Sequence, residues 1–230
     1  MDKVYIGVGH GGSDGGAVKY LVEKDVNLKM ALACRDYLKA AGVNVKISRT
    51  TDKDSSIAEK VTEANSWGAD LALDIHNNAG GGDGAEVYHS IVGGTGKRLA
   101  DNILSEFEKI GQNVRGAKTK RFHGTDYFGF IRLTDMPAVI TEAVFVDNAA
   151  DAAQADTAAE CKMFGVAIAK GVLKTLGIAD NVVRSSTPSK PAQTIYRVQV
   201  GAYANRSNAV KLAKKLNRIG YKTLIVKGGK

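Results

Sequence analysis

The sequence predicts an α/β fold, a mostly parallel sheet with helices on both faces, followed by a short β-α-β C-terminal module. Three observations carry this expectation. Strand-like and helix-like segments alternate over the first 180 residues, the pattern of a parallel sheet wound by crossovers. The segment RSSTPSKPAQ, 184–193, holds two of the three prolines and reads as an exposed linker. From Asn181 onward the chain has 11 Lys and Arg and no Asp or Glu, an abrupt change of composition. The expected division is a main domain at 1–180, a linker at 181–193 and a small module at 194–230.

Each element has its own signal. KVYIGV, 3–8, is apolar and rich in β-branched residues, as a buried strand requires. Leu28, Leu32 and Leu38 mark a helix over Asp25–Ala41, which Gly42 ends. NVKIS, 44–48, is a strand, and Ser55 or Ser56 caps a helix running to about Trp67. DLALDIH, 70–76, and AEVYHS, 85–90, are strands, and Lys97–Ile110 is an amphipathic helix. AVITEAVF, 138–145, is a strand placed just after Pro137, and Asp156–Leu176 is the last helix of the main domain. In the tail, strands at 195–203 and 221–226 flank a helix from about Ser207 to Ile219.

Composition excludes several classes. With 44% hydrophobic and 24% charged residues the chain is neither collagen-like nor intrinsically disordered. It has no 18-residue apolar run, so no membrane span is expected. The opening MDKVYIGVGH lacks the basic and apolar regions of a cleavable signal peptide. Residues 1–180 carry 21 basic and 24 acidic groups, so the net +8 of the chain belongs to its tail. A +11 tail seeks a polyanion: nucleic acid, an anionic membrane or an anionic cell wall. Cys34 and Cys161 lie far apart on apolar helical faces and read as buried thiols.

Two chemistries compete for the first glycine-rich loop. Gly7-x-Gly9-x-x-Gly12 follows a strand, as in a dinucleotide-binding turn, and Arg49 after the second strand would suit NADP. A metal site uses more of the sequence. His10 and His76 leave the carboxyl ends of two strands, and Glu23 lies near the start of the intervening helix. In an open α/β sheet these ends share one rim. Two imidazoles and one carboxylate with an open fourth position make a hydrolytic zinc site. Glu142, a charge inside an apolar strand, would reach that rim as general base. Spacing alone leaves Asp25 and Asp74 as rival carboxylates. His89 and His123 are spare, and Asn78 and Glu86 are either substrate-positioning or structural.

Four motifs in order give a resemblance to a known family. GHGGSDGGA (9–17), LVEKDVNLKMA (21–31), DLALDIHNNA (70–79) and RLTDMPAVITEAVFVDN (132–148) resemble those of zinc-dependent N-acetylmuramoyl-L-alanine amidases, the Amidase_3 family. The resemblance covers about residues 3–177. It implies Zn2+ ligands His10, Glu23 (rather than Asp25) and His76, with Glu142 catalytic. Four positions depart from the family pattern: Gly7-Val8 replaces Asp-Pro, Asn77 replaces Ser or Ala, and Lys60 replaces an arginine. The tail segment 196–226 resembles the first half of a SPOR domain, a peptidoglycan-binding module.

The implied activity is hydrolysis of the amide between N-acetylmuramic acid and L-alanine in peptidoglycan, by an autolysin or an endolysin. The implied site of action is the bacterial cell wall, after release from the cytoplasm by a holin, lysis or non-classical export. Peptidoglycan is the expected partner, with an anionic wall polymer on the tail and a homodimer through the half-length module. Nucleic acid and membrane are not expected partners. The alternatives are an NADP-binding oxidoreductase and a non-catalytic polyanion-binding protein.

Overall fold

In the computed structural model, the described residues are 2–182, 200–204, 206–221 and 223. The chain separates into two compact units, Met1–Ser186 and Thr187–Lys230. In the first unit the order is β1 (Lys3–Val8), α1 (Glu23–Ala40), β2 (Asn44–Ile47), α2 (Ile57–Trp67) and β3 (Leu71–Asn78). Then come β4 (Ala85–His89), α3 (Gly94–Lys109), β5 (Val114–Lys118), β6 (Arg121–Phe122), β7 (Thr125–Asp126) and α4 (Gly129–Leu133). β8 (Ala138–Phe145), α5 (Ala149–Ala152) and α6 (Ala158–Leu176) complete it.

The six-stranded sheet has the order β2-β1-β3-β8-β4-β5. All neighbouring pairs are parallel except β4 with β8. Strand alternation divides the side chains between two faces. On one face Val4, Ile6, Val8, Leu71, Leu73 and Ile75 pack with α1, α3 and α6. On the other, Tyr5, Ala72, Ala138 and Ile140 pack with Val61 and Ala64 of α2 and Phe130 and Ile131 of α4. Helices therefore cover both faces, as expected. The second face also carries Asp74, His76 and Glu142, so its covering helices border the site.

Helix ends follow local chemistry. Ser56 caps α2 and Thr157 caps α6, each through a capping box with the glutamate three residues on. α1 starts two residues before the expected Asp25, because its cap is not a side chain. Glu23 N–H donates to the Ala17 carbonyl at 3.0 Å and Lys24 N–H to that of Gly15 at 3.2 Å. The preceding loop thus satisfies helix donors that a Ser or Asp would ordinarily take. Cys34 and Cys161 are free and buried.

In the second unit α7 spans Arg206–Arg218, close to the expected helix. The expected strands at 195–203 and 221–226 fall largely outside the described residues, and 200–204 is irregular.

Two glycines let α6 approach its neighbours. A Cβ on Gly165 would lie 2.3 Å from the Met30 carbonyl oxygen of α1, and one on Gly171 would lie 2.7 Å from Ile103 Cα of α3. Glycine to alanine inside a helix ordinarily stabilises it by up to about 1 kcal/mol. Here the backbone contact reverses the sign. Gly165→Ala is expected to destabilise the first unit by about 1–3 kcal/mol, as overpacking does, read as a lowered midpoint in chemical denaturation.

Candidate metal centre

The loop after β1 is shaped by what it must avoid. A Cβ on Gly9 would fall 2.3 Å from His76 Cε1, and one on Gly7 2.5 Å from Asp74 Oδ1. Gly16, at φ 64°, would place a Cβ 2.6 Å from Glu23 Oε2 and 2.7 Å from His10 Cδ2. His10 itself is held at φ 56°, a left-handed conformation uncommon for a side chain of this size. The glycines make room for imidazoles and carboxylates.

The loop brings His10, Glu23 and His76 together, with one potential ligand atom from each within 4.8 Å of the others. Glu23 Oε1 lies 3.2 Å from His10 Nε2 and 3.1 Å from His76 Nδ1. Two donors each about 2.1 Å from a tetrahedral ion sit about 3.4 Å apart, so this spacing and donor set fit zinc. Glu23 is only 4% exposed. Its Oε2 accepts from Ala17 N–H at 2.9 Å, and its Oε1 from Asn77 N–H at 3.2 Å. Burial would raise its pKa, but the two imidazoles hold it well below the usual carboxylate range. Asp25 is exposed and stands apart from the cluster.

Behind each imidazole stands a carboxylate. His10 Nδ1 meets Asp14 Oδ2 at 2.7 Å, which leaves Nε2 facing the cluster. His76 Nε2 lies 3.4 Å from Asp74 Oδ2, which leaves Nδ1 facing it. Such outer partners fix the tautomer and orientation of a ligating imidazole. Contact with Glu23 raises the His10 pKa, with Asp14 adding to it. Burial would depress His76, but Asp74 and Glu23 carry it up to about 10. Asp74 is itself buried against Lys60, each 2% exposed. The lysine that departs from the family pattern is thus the counter-ion of the carboxylate behind His76.

Glu142 lies beside this cluster. It is the cross-strand partner of His76 on β3 and of Glu86 on β4, so three titratable residues form a row across the sheet. Glu86 is ion-paired with Arg115 and Lys118 and accepts from Tyr88 Oη at 3.1 Å. Burial would raise the Glu86 pKa, but these partners lower it. Among the described residues Glu142 has no such partner: its Oε2 is shut off from solvent without a hydrogen bond. Burial pushes its carboxyl up to about 7. One row therefore holds a fixed anion and a carboxyl able to exchange a proton near neutrality.

The dinucleotide expectation is corrected here. α1 opens at Glu23, eleven residues beyond Gly12, so no helix N-terminus follows the third glycine. Arg49 is 1% exposed and donates to the carbonyls of Gly9 at 3.1 Å and Lys24 at 2.8 Å. It braces the loop and presents nothing to a phosphate. Sequence reasoning missed this role and those of Asp14, Asn27 and Lys60. Asn27 donates to Gly9 O at 3.1 Å and accepts from Asn77 Nδ2 at 2.7 Å. One signal was available: Asp74 and His76 are two apart on a strand and share a face. Asp14 lies only four residues from His10 in the same loop, whereas Lys60 reaches Asp74 only by folding. His89, expected to be spare, is buried and makes a 2.8 Å contact with the Ser90 carbonyl through Nδ1.

An open α/β sheet with two imidazoles and two carboxyls of oppositely shifted pKa at one rim has the constitution of a metal-dependent hydrolase. Comparison with known proteins specifies the family. The Amidase_3 model, N-acetylmuramoyl-L-alanine amidase, matches residues 4–174, and the SPOR domain model matches 167–228. The first ten residues of the SPOR match lie in α6. N-acetylmuramoyl-L-alanine amidase CwlM of Bacillus licheniformis is 38% identical over 98% of this chain and 85% of that protein. The sporulation-specific N-acetylmuramoyl-L-alanine amidase of Bacillus subtilis is 36% identical over the same shares. The catalytic domain of CwlV, an N-acetylmuramoyl-L-alanine amidase from Bacillus (Paenibacillus) polymyxa var. colistinus, superposes with TM-score 0.71 at 29% identity. That match covers 78% of this chain and all of that domain.

The chain belongs to the N-acetylmuramoyl-L-alanine amidase family. It is a peptidoglycan hydrolase that acts at the cell wall on the amide joining N-acetylmuramic acid to L-alanine. No helix among the described residues is long and apolar enough to cross a membrane.

The buried Lys60–Asp74 pair gives a stability test. Lys60→Met removes the nearer counter-charge of buried Asp74 and leaves it only His76 Nε2 at 3.4 Å, so the loss is expected at or below the about 3–5 kcal/mol of a fully broken buried pair. Equilibrium urea unfolding is expected to read that loss, and Lys60→Arg to recover part of it.

Proposed function

We propose that His10, Glu23 and His76 hold one zinc ion and that Glu142 is the proton-transfer residue of amide hydrolysis. Zinc, when bound, supplies a Lewis acid for the lactyl carbonyl and lowers the pKa of a coordinated water toward ~7. Glu142 accepts a proton from the attacking water. It then returns that proton to the departing alanine nitrogen, since an amine must leave protonated. One carboxyl thus serves as base and then as acid. Glu23, buried and charged, contributes its anion to the cation and has both oxygens engaged by backbone donors, so it does not share the proton task. Asp14 and Asp74 orient the two imidazoles.

The observation that carries this reading is the buried Oε2 of Glu142, without a hydrogen-bond partner among the described residues, on the strand beside His76. Glu142→Gln is expected to keep zinc and fold but lose hydrolysis by more than the ~10²–10⁴-fold of ordinary acid–base assistance, because it serves both steps. Glu23→Ala is expected to lose zinc, measured by elemental analysis, whereas Asp25→Ala keeps it. Near-normal turnover in Glu142→Gln would overturn the assignment of the base, and zinc lost only in Asp25→Ala would overturn the ligand set.

The tail is proposed to attach the enzyme to the wall, separately from bond cleavage. Every residue assigned above precedes residue 150, whereas the 11 uncompensated basic groups follow residue 180. Attraction between a +11 segment and an anionic wall polymer weakens as salt rises. Removing residues 181–230 is expected to spare hydrolysis of a soluble muramyl-peptide while lowering lysis of whole walls at low salt. Equal losses on both substrates would assign the tail to the catalytic unit.

A further inference from the structure

The β6–β7 hairpin takes no part in the chemistry above. Its turn is His123-Gly124, both at positive φ, 47° and 83°, as a two-residue type I′ connection requires. Two-residue strands do not hold themselves together, and this pair is pinned from outside. Asp126 accepts from Ser90 Oγ at 2.7 Å and from Ile91 N–H at 2.8 Å. Arg132 Nη1 donates to the carbonyls of Asp126 at 2.6 Å and Tyr127 at 3.0 Å.

Although anchored in this way, the hairpin presents large rings to water. Phe122 is 54% exposed and Tyr127 45% exposed. The rings touch in series. Tyr88 and Phe128 have centroids 4.9 Å apart, Phe128 and Tyr127 5.1 Å, and Tyr127 and Phe122 6.1 Å. The first ring's hydroxyl donates to Glu86, the cross-strand partner of Glu142. A ladder of aromatic contacts therefore runs from the Glu142 row to the exposed tip. Lys120 Nζ lies 4.0 Å from the centre of the Tyr127 ring. Exposed apolar groups clustered beside a site mark a binding surface.

We propose that this hairpin is a glycan subsite, on which Phe122 and Tyr127 stack against sugar rings of the strand whose stem peptide is being removed. The proposal rests on the reading of Glu142 as the reaction centre. Pyranose rings present C–H faces, which suit the electron-rich face of an aromatic ring. Their hydroxyl and acetamido oxygens would accept hydrogen bonds from Lys120 and Arg121. Continuity with the Glu142 row favours the substrate's own sugar strand as occupant.

The test is competition. A peptide-free tetrasaccharide of alternating N-acetylglucosamine and N-acetylmuramic acid is added during hydrolysis of a soluble muramyl-peptide by the full zinc-loaded chain. Competitive inhibition is expected, with the inhibition constant raised tenfold or more in the Phe122→Ala/Tyr127→Ala variant. Binding confined to the tail would not compete. No inhibition, non-competitive inhibition, or a constant unchanged by the substitutions would overturn the proposal. Phe122→Ser, at an exposed position, serves if the double variant misfolds. A photoreactive form of the tetrasaccharide should also crosslink within 120–128, and crosslinks confined to other segments would overturn the proposal. That readout needs no turnover, so it stays decisive if Glu142 proves not to be the base.

Discussion

Glu23 carries a negative charge into a place where only 4% of the residue meets solvent. Burying an isolated carboxylate is costly unless donors and counter-charges surround it. Here they come from two segments, the loop before α1 (His10 and Ala17 N–H) and the end of β3 (His76 and Asn77 N–H). Meeting that requirement shapes the whole 9–22 loop. It sets the start of α1, demands glycine at 9 and 16, and holds His10 at positive φ. Arg49 and Asn27 both donate to the Gly9 carbonyl, fixing the loop from behind.

The other carboxylates of the rim are sorted by their partners. Asp74 has Lys60, and Glu86 has Arg115 and Lys118, so both stay charged. Glu142 stands between His76 and Glu86 in the same row, and among the described residues no lysine or arginine pairs with it, so only His76 opposes the effect of burial. Burial and neighbouring anions then favour its protonated form. The difference is one of placement: every carboxyl has the same chemistry, and the sheet register decides which receives a lysine or arginine. Separate pKa values for neighbouring carboxyls are what divides holding a cation from moving a proton.

A parallel sheet brings β1, β3 and β8 to one rim with the same polarity, so loops far apart in sequence converge. The reversed strand β4 adds something different. Running antiparallel to β8, it sets Glu86 opposite Glu142 and Tyr88 opposite Ile140, one pair nearer the start of β8 on the same face. Tyr88 in turn meets Phe128 just beyond the hairpin. Through Tyr88 the reversed strand links the Glu142 row to the aromatic contacts of the hairpin.

The sequence by itself determined the alternation of strands and helices, the positions of most of their ends, the buried thiols and the amidase motifs. These are local properties: apolar period, capping serines and threonines, and turn glycines act within a few residues of one another. It also placed His10, Glu23, His76 and Glu142 at strand ends or a helix start, where a shared rim was foreseeable. Only the tertiary structure decided which partner each carboxylate received. Lys60 reaches Asp74 across 14 residues, Asn77 N–H reaches Glu23 across 54, and Asn77 Oδ1 accepts from Val144 across 67. The glycine loop could be read two ways until His76 was seen to fill the space beside Gly9. Charge compensation in a buried site depends on distances in space, and residue spacing along the chain does not encode them.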